Sequence, residues 1–274
     1  MEEVSCYLCH SKIHNVIFSQ SENDQYLDLI DSNLLKKKRN IVECSNCKLI
    51  YRNPQLEEAE VKILYEKFRD YSIRDESADE YFDRITNYPK GESENIEKIE
   101  WLQKYFICRQ KTRRMLLDVG CGGGVFIYTF QKYFHNWKIF GVEPTKSFAD
   151  LAKRRTGATV IAEQFNKSFF KNLKFDLVTI NQVLEHIKDP ITFLKEVGHL
   201  LKPYGQIYLE VPSSSDLNHL PSNHDRFQSQ HFYIFSISTL SKIIENAGFR
   251  INKIEEIVTI RNRRNIVALI SLFL

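Results

Sequence analysis

The stretch MLLDVGCGGGVFIYTF, Met115 to Phe130, limits the fold more than any other part of the chain. A short apolar run ends in Asp118, four glycines fall within residues 120–124, and apolar residues then resume. Glycine serves where the backbone turns into the left-handed region or comes close to another group. The pattern therefore predicts a strand, a sharp turn and a helix. At such a turn, backbone amides and a helix N-terminus can meet a ligand at the carboxyl edge of a sheet. The spacing is GxGxG. A dinucleotide fingerprint needs glycine or alanine at position 125, where Val125 stands, and no glycine-lysine pair follows to make a P-loop.

From Lys111 onward, strand-like and helical segments alternate. Strands are predicted at Met115–Val119, Ile139–Glu143, Thr159–Ala162, Phe175–Asn181 and Gln206–Val211. Asp189 followed by Pro190 marks a helix start, and a second helix is expected from Ser238 to Gly248. This rhythm predicts an α/β fold, a Rossmann-like, doubly wound and mainly parallel sheet. The tail breaks it. Arg250–Ile260 and Asn265–Phe273, joined by Arg261-Asn262-Arg263-Arg264, read as a closing antiparallel hairpin.

The N-terminal region is built on cysteine. Cys6 and Cys9 form one CxxC pair and Cys44 and Cys47 another. Two such pairs predict a tetrahedral four-cysteine zinc site, with buried thiols or a redox pair as the alternative. Four thiolates leave no open position, so a Zn2+ ion here has a structural role. A segment with so little core would draw much of its folding free energy from the metal, about 10 kcal/mol or more. His10 and His14 lie nearby and are not expected as ligands; Cys108 and Cys121 stand apart.

Three regions follow: a small zinc-ribbon module over residues 1–55, a helical linker or cap over 56–110, and the α/β domain over 111–274. Val61, Leu64, Tyr65 and Phe68 in the linker have helical spacing, and a second linker helix should begin near Ser93. The run Lys36-Lys37-Lys38-Arg39 reads as a solvated loop or hairpin tip. The net charge of +3 is small for 274 residues, so nucleic acid is not an expected partner. No basic and apolar leader opens the sequence, and its longest apolar run, Ile266–Leu274, is too short to span a bilayer. A cytoplasmic location is expected.

From Leu116 to about Phe249 the chain resembles class I S-adenosylmethionine (SAM) dependent methyltransferases. DVGCGGG is similar to their first motif, and GVEPT places Glu143 at the end of the second strand, 25 residues after Asp118. FDLVTINQVLEHIKDP and LKPYGQIYLEVP are similar to the segments around the fourth and fifth strands. The resemblance implies SAM as cofactor. It implies that Asp118 fixes the glycine loop or reaches the methionine amino group, and that Gly120, Cys121 and Gly122 line the methionine and ribose. Glu143 would hold the ribose hydroxyls, Pro144 would lie near the adenine, Glu163 or Gln164 would meet the adenine amino group, and Asn181 would face the methionine end.

Transfer from an already activated methyl donor needs a positioned nucleophile and a base to take its proton. His231, in DRFQSQHFYIFSISTL, is the favoured base, with His186 of LEHIKDP the second candidate. Phe227, Phe232, Tyr233 and Phe235 could wall a pocket or belong to the core. A four-cysteine module, helical linker, SAM domain and H-F-x-x-F-S segment together resemble sugar C-methyltransferases of deoxysugar biosynthesis. The resemblance implies a small polar acceptor, a nucleotide sugar or a surface-glycan sugar. That family has a Glu-His pair where this chain has Gln230-His231, and glutamine cannot take a proton, so C-, O- and N-methylation all stay open. Glu185-His186 also resembles part of a metal-assisted quinone O-methyltransferase motif, but Gln182 replaces its further acid. Two alternatives are an RNA base methyltransferase whose zinc module holds RNA, and a SAM-binding protein without catalysis.

Overall fold

The computed structural model describes residues 1–20, 24, 27, 30–31, 33–34, 38–67, 76–107, 114–221 and 224–273. Lys36, Lys37, Phe68 and Cys108, and the side chain of Tyr65, lie outside what is described. The first half supplies β1 (His14–Gln20), β2 (Arg39–Cys44) and β3 (Ile50–Asn53), then α1 (Glu58–Lys67), α2 (Ala78–Thr86) and α3 (Glu94–Tyr105). Next come β4 (Arg114–Val119), α4 (Val125–Tyr133), β5 (Trp137–Val142), α5 (Lys146–Thr156), β6 (Thr159–Ile161) and β7 (Phe175–Asn181). The rest is α6 (Pro190–Gly198), β8 (Leu201–Pro212), β9 (Tyr233–Ile234), α7 (Ile237–Asn246), β10 (Phe249–Val258) and β11 (Arg264–Leu272).

Seven strands make the main sheet in the order β10-β11-β8-β7-β4-β5-β6. β6, β5, β4, β7 and β8 run parallel, and β11 and β10 close the sheet antiparallel. The mainly parallel α/β sheet with a closing hairpin is thus the architecture expected from the sequence. The hairpin folds back so that its second strand, β11, lies inside and β10 takes the edge. Composition explains the choice: Ile266 to Ile270 are apolar and buried, whereas β10 carries Arg250, Lys253, Glu255 and Glu256, charges that suit an edge strand.

Both faces of the sheet are covered. Leu117, Val119, Val178 and Leu209 pack on the side of α6 and α7, while Leu116, Leu177 and Tyr208 pack with α3 and α4. Adjacent residues such as Leu116 and Leu117 thus serve opposite layers, which is why these strands read as continuous apolar runs.

Local signals set the helix ends. The Asp189 carboxylate accepts from the Thr192 amide at 3.0 Å with Pro190 at the first helical position. Ser93 Oγ accepts from Ile96 N at 3.3 Å at the start of α3. α7 starts at Ile237, before the expected Ser238, because Ser236 and Thr239 form a reciprocal capping box. β8 extends back to Leu201, which pairs with Phe175 across a register shift.

A second, antiparallel sheet has the order β1-β2-β3-β9. Its fourth strand comes from the chain after β8, so residues distant in sequence meet. Phe232 makes the junction: its amide donates to Glu185 O at 2.8 Å, and its carbonyl accepts from Arg52 N at 2.9 Å. The basic run departs from expectation. Lys38 is exposed, but Arg39 opens β2 opposite Gln20 and is fully buried, because it lies in a paired strand rather than at a tip. Among the described residues no helix is long and apolar enough to cross a membrane.

Candidate functional site

The carboxyl ends of β4, β5, β6 and β7 open onto a cavity of about 940 Å3. Gly120 lines it after β4, Glu143 and Pro144 after β5, Glu163 and Gln164 after β6, and Asn181 and Gln182 at the end of β7. Ala59, Lys62 and Leu64 of α1 form part of the wall, and His186, Gln230 and Phe232 form another part.

Glu143 is 4 % exposed and anchors this edge. One carboxylate oxygen accepts from Gly122 N at 2.9 Å and the other from Thr145 N at 3.0 Å. Each oxygen retains lone-pair capacity, so the oriented carboxylate can still accept from a vicinal diol. The glycine loop is pinned to β5, with Gly120 N and Cys121 N both donating to Val142 O.

Not every loop residue faces the cavity. A Cβ on Gly120 would lie 2.4 Å from Val183 Cγ2, and one on Gly124 would lie 3.0 Å from Ala152 in α5. Both have positive φ, +73° and +84°. The glycines therefore clear space for protein neighbours and permit the turn, in addition to leaving one edge open. Cys121 is buried against Gly141, and neither it nor Gly122 contributes to the cavity wall. Asp118 is also behind the wall. Its Oδ1 accepts from Thr179 Oγ1 at 2.6 Å and from Asn181 Nδ2 at 3.4 Å. Burial pushes its carboxyl up to about 7, against the pull of those two hydrogen bonds.

The two candidate histidines come together. Their ring centroids are 4.6 Å apart, but His186 lines the cavity and His231 packs beside it. His186 Nδ1 lies 2.9 Å from the Gln230 carbonyl oxygen. A carbonyl only accepts, so Nδ1 carries hydrogen and a neutral ring presents Nε2 as its basic atom. Burial, with His186 alongside, pulls His231 well below the usual histidine range.

One further member of this cluster, Glu185, is read from the sequence only as part of a quinone O-methyltransferase motif and not as a catalytic candidate. Glu185 is 1 % exposed, and neither carboxylate oxygen has a hydrogen-bond partner among the described residues. One oxygen lies 3.9 Å from His186 Nε2, and ligand atoms of Glu185, His186 and His231 all fall within 4.8 Å of one another. Burial pushes the Glu185 carboxyl up to about 8. Its signal was its place beside His186 in a tight turn at the end of β7. Of the aromatics, Phe232 lines the cavity, whereas Phe227, Tyr233 and Phe235 are core.

Cys6, Cys9, Cys44 and Cys47 also converge, with all four sulfurs within 4.8 Å of one another. The Cys6–Cys47 and Cys9–Cys44 sulfur distances are both 3.4 Å. Zinc bonds of about 2.3 Å give tetrahedral sulfur edges of about 3.8 Å, so the donor set and its spacing fit that ion. His10 and His14 are outside the cluster. The arginines after β10 are occupied: Arg261 pairs with Glu94, Arg263 with Asp225 and Arg264 with Glu256.

Residues 92–254, well over half of the chain, match the family model described as a methyltransferase domain. The chain belongs to this class I SAM-dependent methyltransferase family. A Schizosaccharomyces pombe relative, described as an uncharacterized methyltransferase, is 32% identical over 120 residues, covering 39% of this chain and 43% of its own. A ubiquinone biosynthesis O-methyltransferase of Coxiella burnetii is 28% identical over 130 residues, 45% of this chain and 55% of its own. The chain spans about half the length of the curated relatives it matches. Among solved structures, the magnesium protoporphyrin IX methyltransferase of Synechocystis with bound SAH superposes with a TM-score of 0.52 at 15% identity, covering 70% of this chain and 93% of that one. The cyclase SpnF superposes with a TM-score of 0.53 at 14% identity, covering 68% and 84%. These likenesses concern the methyltransferase fold alone. The cavity fits the family's cofactor, since an oriented carboxylate at the end of β5, Gly120 of the glycine turn and the amide side chains of Asn181 and Gln182 at the end of β7 line it together.

Proposed function

We propose that this methyltransferase moves a methyl group from SAM to a small polar acceptor, a nucleotide sugar or a sugar of a surface glycan. The observation that carries the reading is the pairing, in one cavity, of Glu143 at one end with His186 and the amides Asn181, Gln182 and Gln230 at the other. Glu143 would hold the ribose hydroxyls, Pro144 would border the adenine, Glu163 or Gln164 would meet its amino group, and Asn181 would face the methionine end. SAM supplies an already activated methyl group.

The remaining work falls to the acceptor side. His186 Nε2 is aimed by the Gln230 carbonyl and can take a proton from the acceptor. His231 packs behind it, and the buried Glu185 carboxyl, which retains its proton near neutral pH, lies 3.9 Å from His186 Nε2. Amides at Gln182 and Gln230 suit hydroxyl-rich acceptors, which both donate and accept hydrogen bonds. The four cysteines would hold a structural zinc ion that fixes the loops around β1, β2 and β3. The ion pairs of Arg261, Arg263 and Arg264 leave the RNA alternative with little support.

The test is to incubate the protein with SAM and a panel of nucleotide sugars and follow products by mass spectrometry. Gain of one methyl by a panel member supports the reading. SAM binding with every panel member unchanged counts against a sugar acceptor.

A further inference from the structure

A side chain of the first cysteine pair reaches the edge of the cavity. Tyr7 lies between Cys6 and Cys9, so the turn that carries it is bounded by two of the four clustered thiols. His10 N donates to Cys6 O at 2.7 Å and closes that turn. The Tyr7 hydroxyl donates to Asp189 Oδ1 and accepts from Ile191 N at 3.2 Å. Asp189 is the N-cap of α6, and the same Oδ1 accepts from Thr192 N. The Ile191 amide is one of the first-turn donors that a helix leaves without an internal partner. Tyr7 thus completes the cap of α6 from 182 positions away in the sequence.

That cap ends the turn that walls the cavity. His186, Ile187 and Lys188 line the cavity, and Asp189 follows directly. His186 lies three residues before Asp189, so a shift of the cap is carried to the imidazole. Other contacts hold the same turn. Tyr233 OH donates to Lys188 O at 2.8 Å, and its ring packs on Tyr7 with centroids 5.8 Å apart. Phe232 N donates to Glu185 O at 2.8 Å. Lys188 Nζ pairs with Glu2 at 2.7 Å, a partly exposed ion pair that contributes little. Of these partners, only Tyr7 lies within a CxxC pair.

We propose that Tyr7 is a positioning residue for methyl transfer: a strut between the four-cysteine cluster and the N-cap of α6, it fixes the place of His186 in the cavity wall. Tyr7 does not line the cavity itself and acts through Asp189. The cysteine module then serves the geometry of the site as well as the stability of the fold. This deepens the proposed function and takes from it His186 as the base. The strut itself can be read on the imidazole without turnover.

The experiment compares wild type, Tyr7→Phe, Asp189→Ser and the double variant. Tyr7→Phe keeps the ring against Tyr233 and removes the hydroxyl. Asp189→Ser keeps a good N-cap for Thr192 N but is too short to reach Tyr7. NMR signals of the histidine rings report the imidazole, with His186 identified by its absence from His186→Gln. Elemental analysis, melting and SAM calorimetry report metal, fold and cofactor. Each single variant should keep the zinc content and SAM affinity of wild type and shift the His186 ring signal. Each should also slow methyl transfer to the nucleotide-sugar panel about tenfold, as a misplaced catalytic group does. The double variant should match the single ones, because all of them remove one contact. An unmoved His186 signal in Tyr7→Phe with zinc and SAM binding intact, or shifts that add in the double variant, overturns the strut. If Tyr7→Phe loses its zinc or its fold, Asp189→Ser reads the same contact from the other end, and an unmoved signal there overturns it equally. A moved signal with methyl transfer unchanged would sink His186 as the base and leave the strut standing.

Discussion

Gln230 orients His186 through its backbone, with the carbonyl oxygen 2.9 Å from His186 Nδ1. The side chain that cannot take a proton is therefore not the group that matters to the histidine. The carbonyl sets the tautomer, and the basic nitrogen is left on the other side of the ring. Substituting His186 by Gln should lower kcat about 100- to 10,000-fold, the usual range for a positioned base, with SAM affinity within threefold of wild type. His231→Gln should have a smaller effect, because His231 packs against His186 and does not line the cavity. Steady-state methyl transfer and SAM calorimetry on both variants check this, and a larger loss in His231→Gln would reverse the assignment.

Glu143 should dominate SAM affinity. Its two oxygens fix Gly122 and Thr145 and remain available to a diol. Hydrogen bonds to a charged group contribute about 1.5–3 kcal/mol each. Glu143→Ala should therefore weaken SAM binding by about 10- to 100-fold or more in calorimetry. An affinity unchanged from wild type would place the ribose elsewhere.

Glu185 gives the fold a pH signature. Its carboxyl is raised by burial to about 8, above the ordinary value of 4.5. Between those values the folded chain retains a proton that the unfolded chain has released, so stability falls as pH rises through this window. The slope approaches about 1.4 kcal/mol per pH unit for one proton. Asp118, raised to about 7, acts in the same direction at the lower end. Glu185→Gln removes one of these protons, so its stability relative to wild type should increase from pH 6.5 to pH 8 in urea unfolding. Parallel curves for the two proteins would contradict a buried, proton-retaining Glu185.

Much of this arrangement is legible in the sequence because the signals are local. The strand ending at Asp118, the glycine turn, the Asp189-Pro190 start and the alternation of strand and helix need only near neighbours to declare themselves. The closing hairpin was legible too, but its order depends on which strand can be buried on both faces. The cluster proposed to face the acceptor was harder. His186, His231 and Glu185 meet because Phe232 links the turn after β7 to β3, a contact between residues far apart in sequence. Arg39 sits in a basic run that resembles a solvated tip, and only strand pairing shows it to be buried. For the same reason, the glycines could not reveal that Val183 and Ala152 occupy the space they clear.

The cysteine cluster makes a separate prediction. The purified chain should contain about one zinc ion, and a strong chelator should lower its melting temperature, because structural zinc contributes directly to folding. Cys9→Ser should reduce both metal content and stability. Elemental analysis with thermal melting checks this, and a metal-free chain whose melting is indifferent to chelation would contradict it.

The most direct test is to supply methyl-labelled SAM with two acceptor pools, nucleotide sugars and total RNA, and to count the label in each. The account predicts label in the sugar pool, lost when His186 is replaced by Gln while SAM still binds. Label in RNA, or an unlabelled sugar pool with SAM bound, would contradict it.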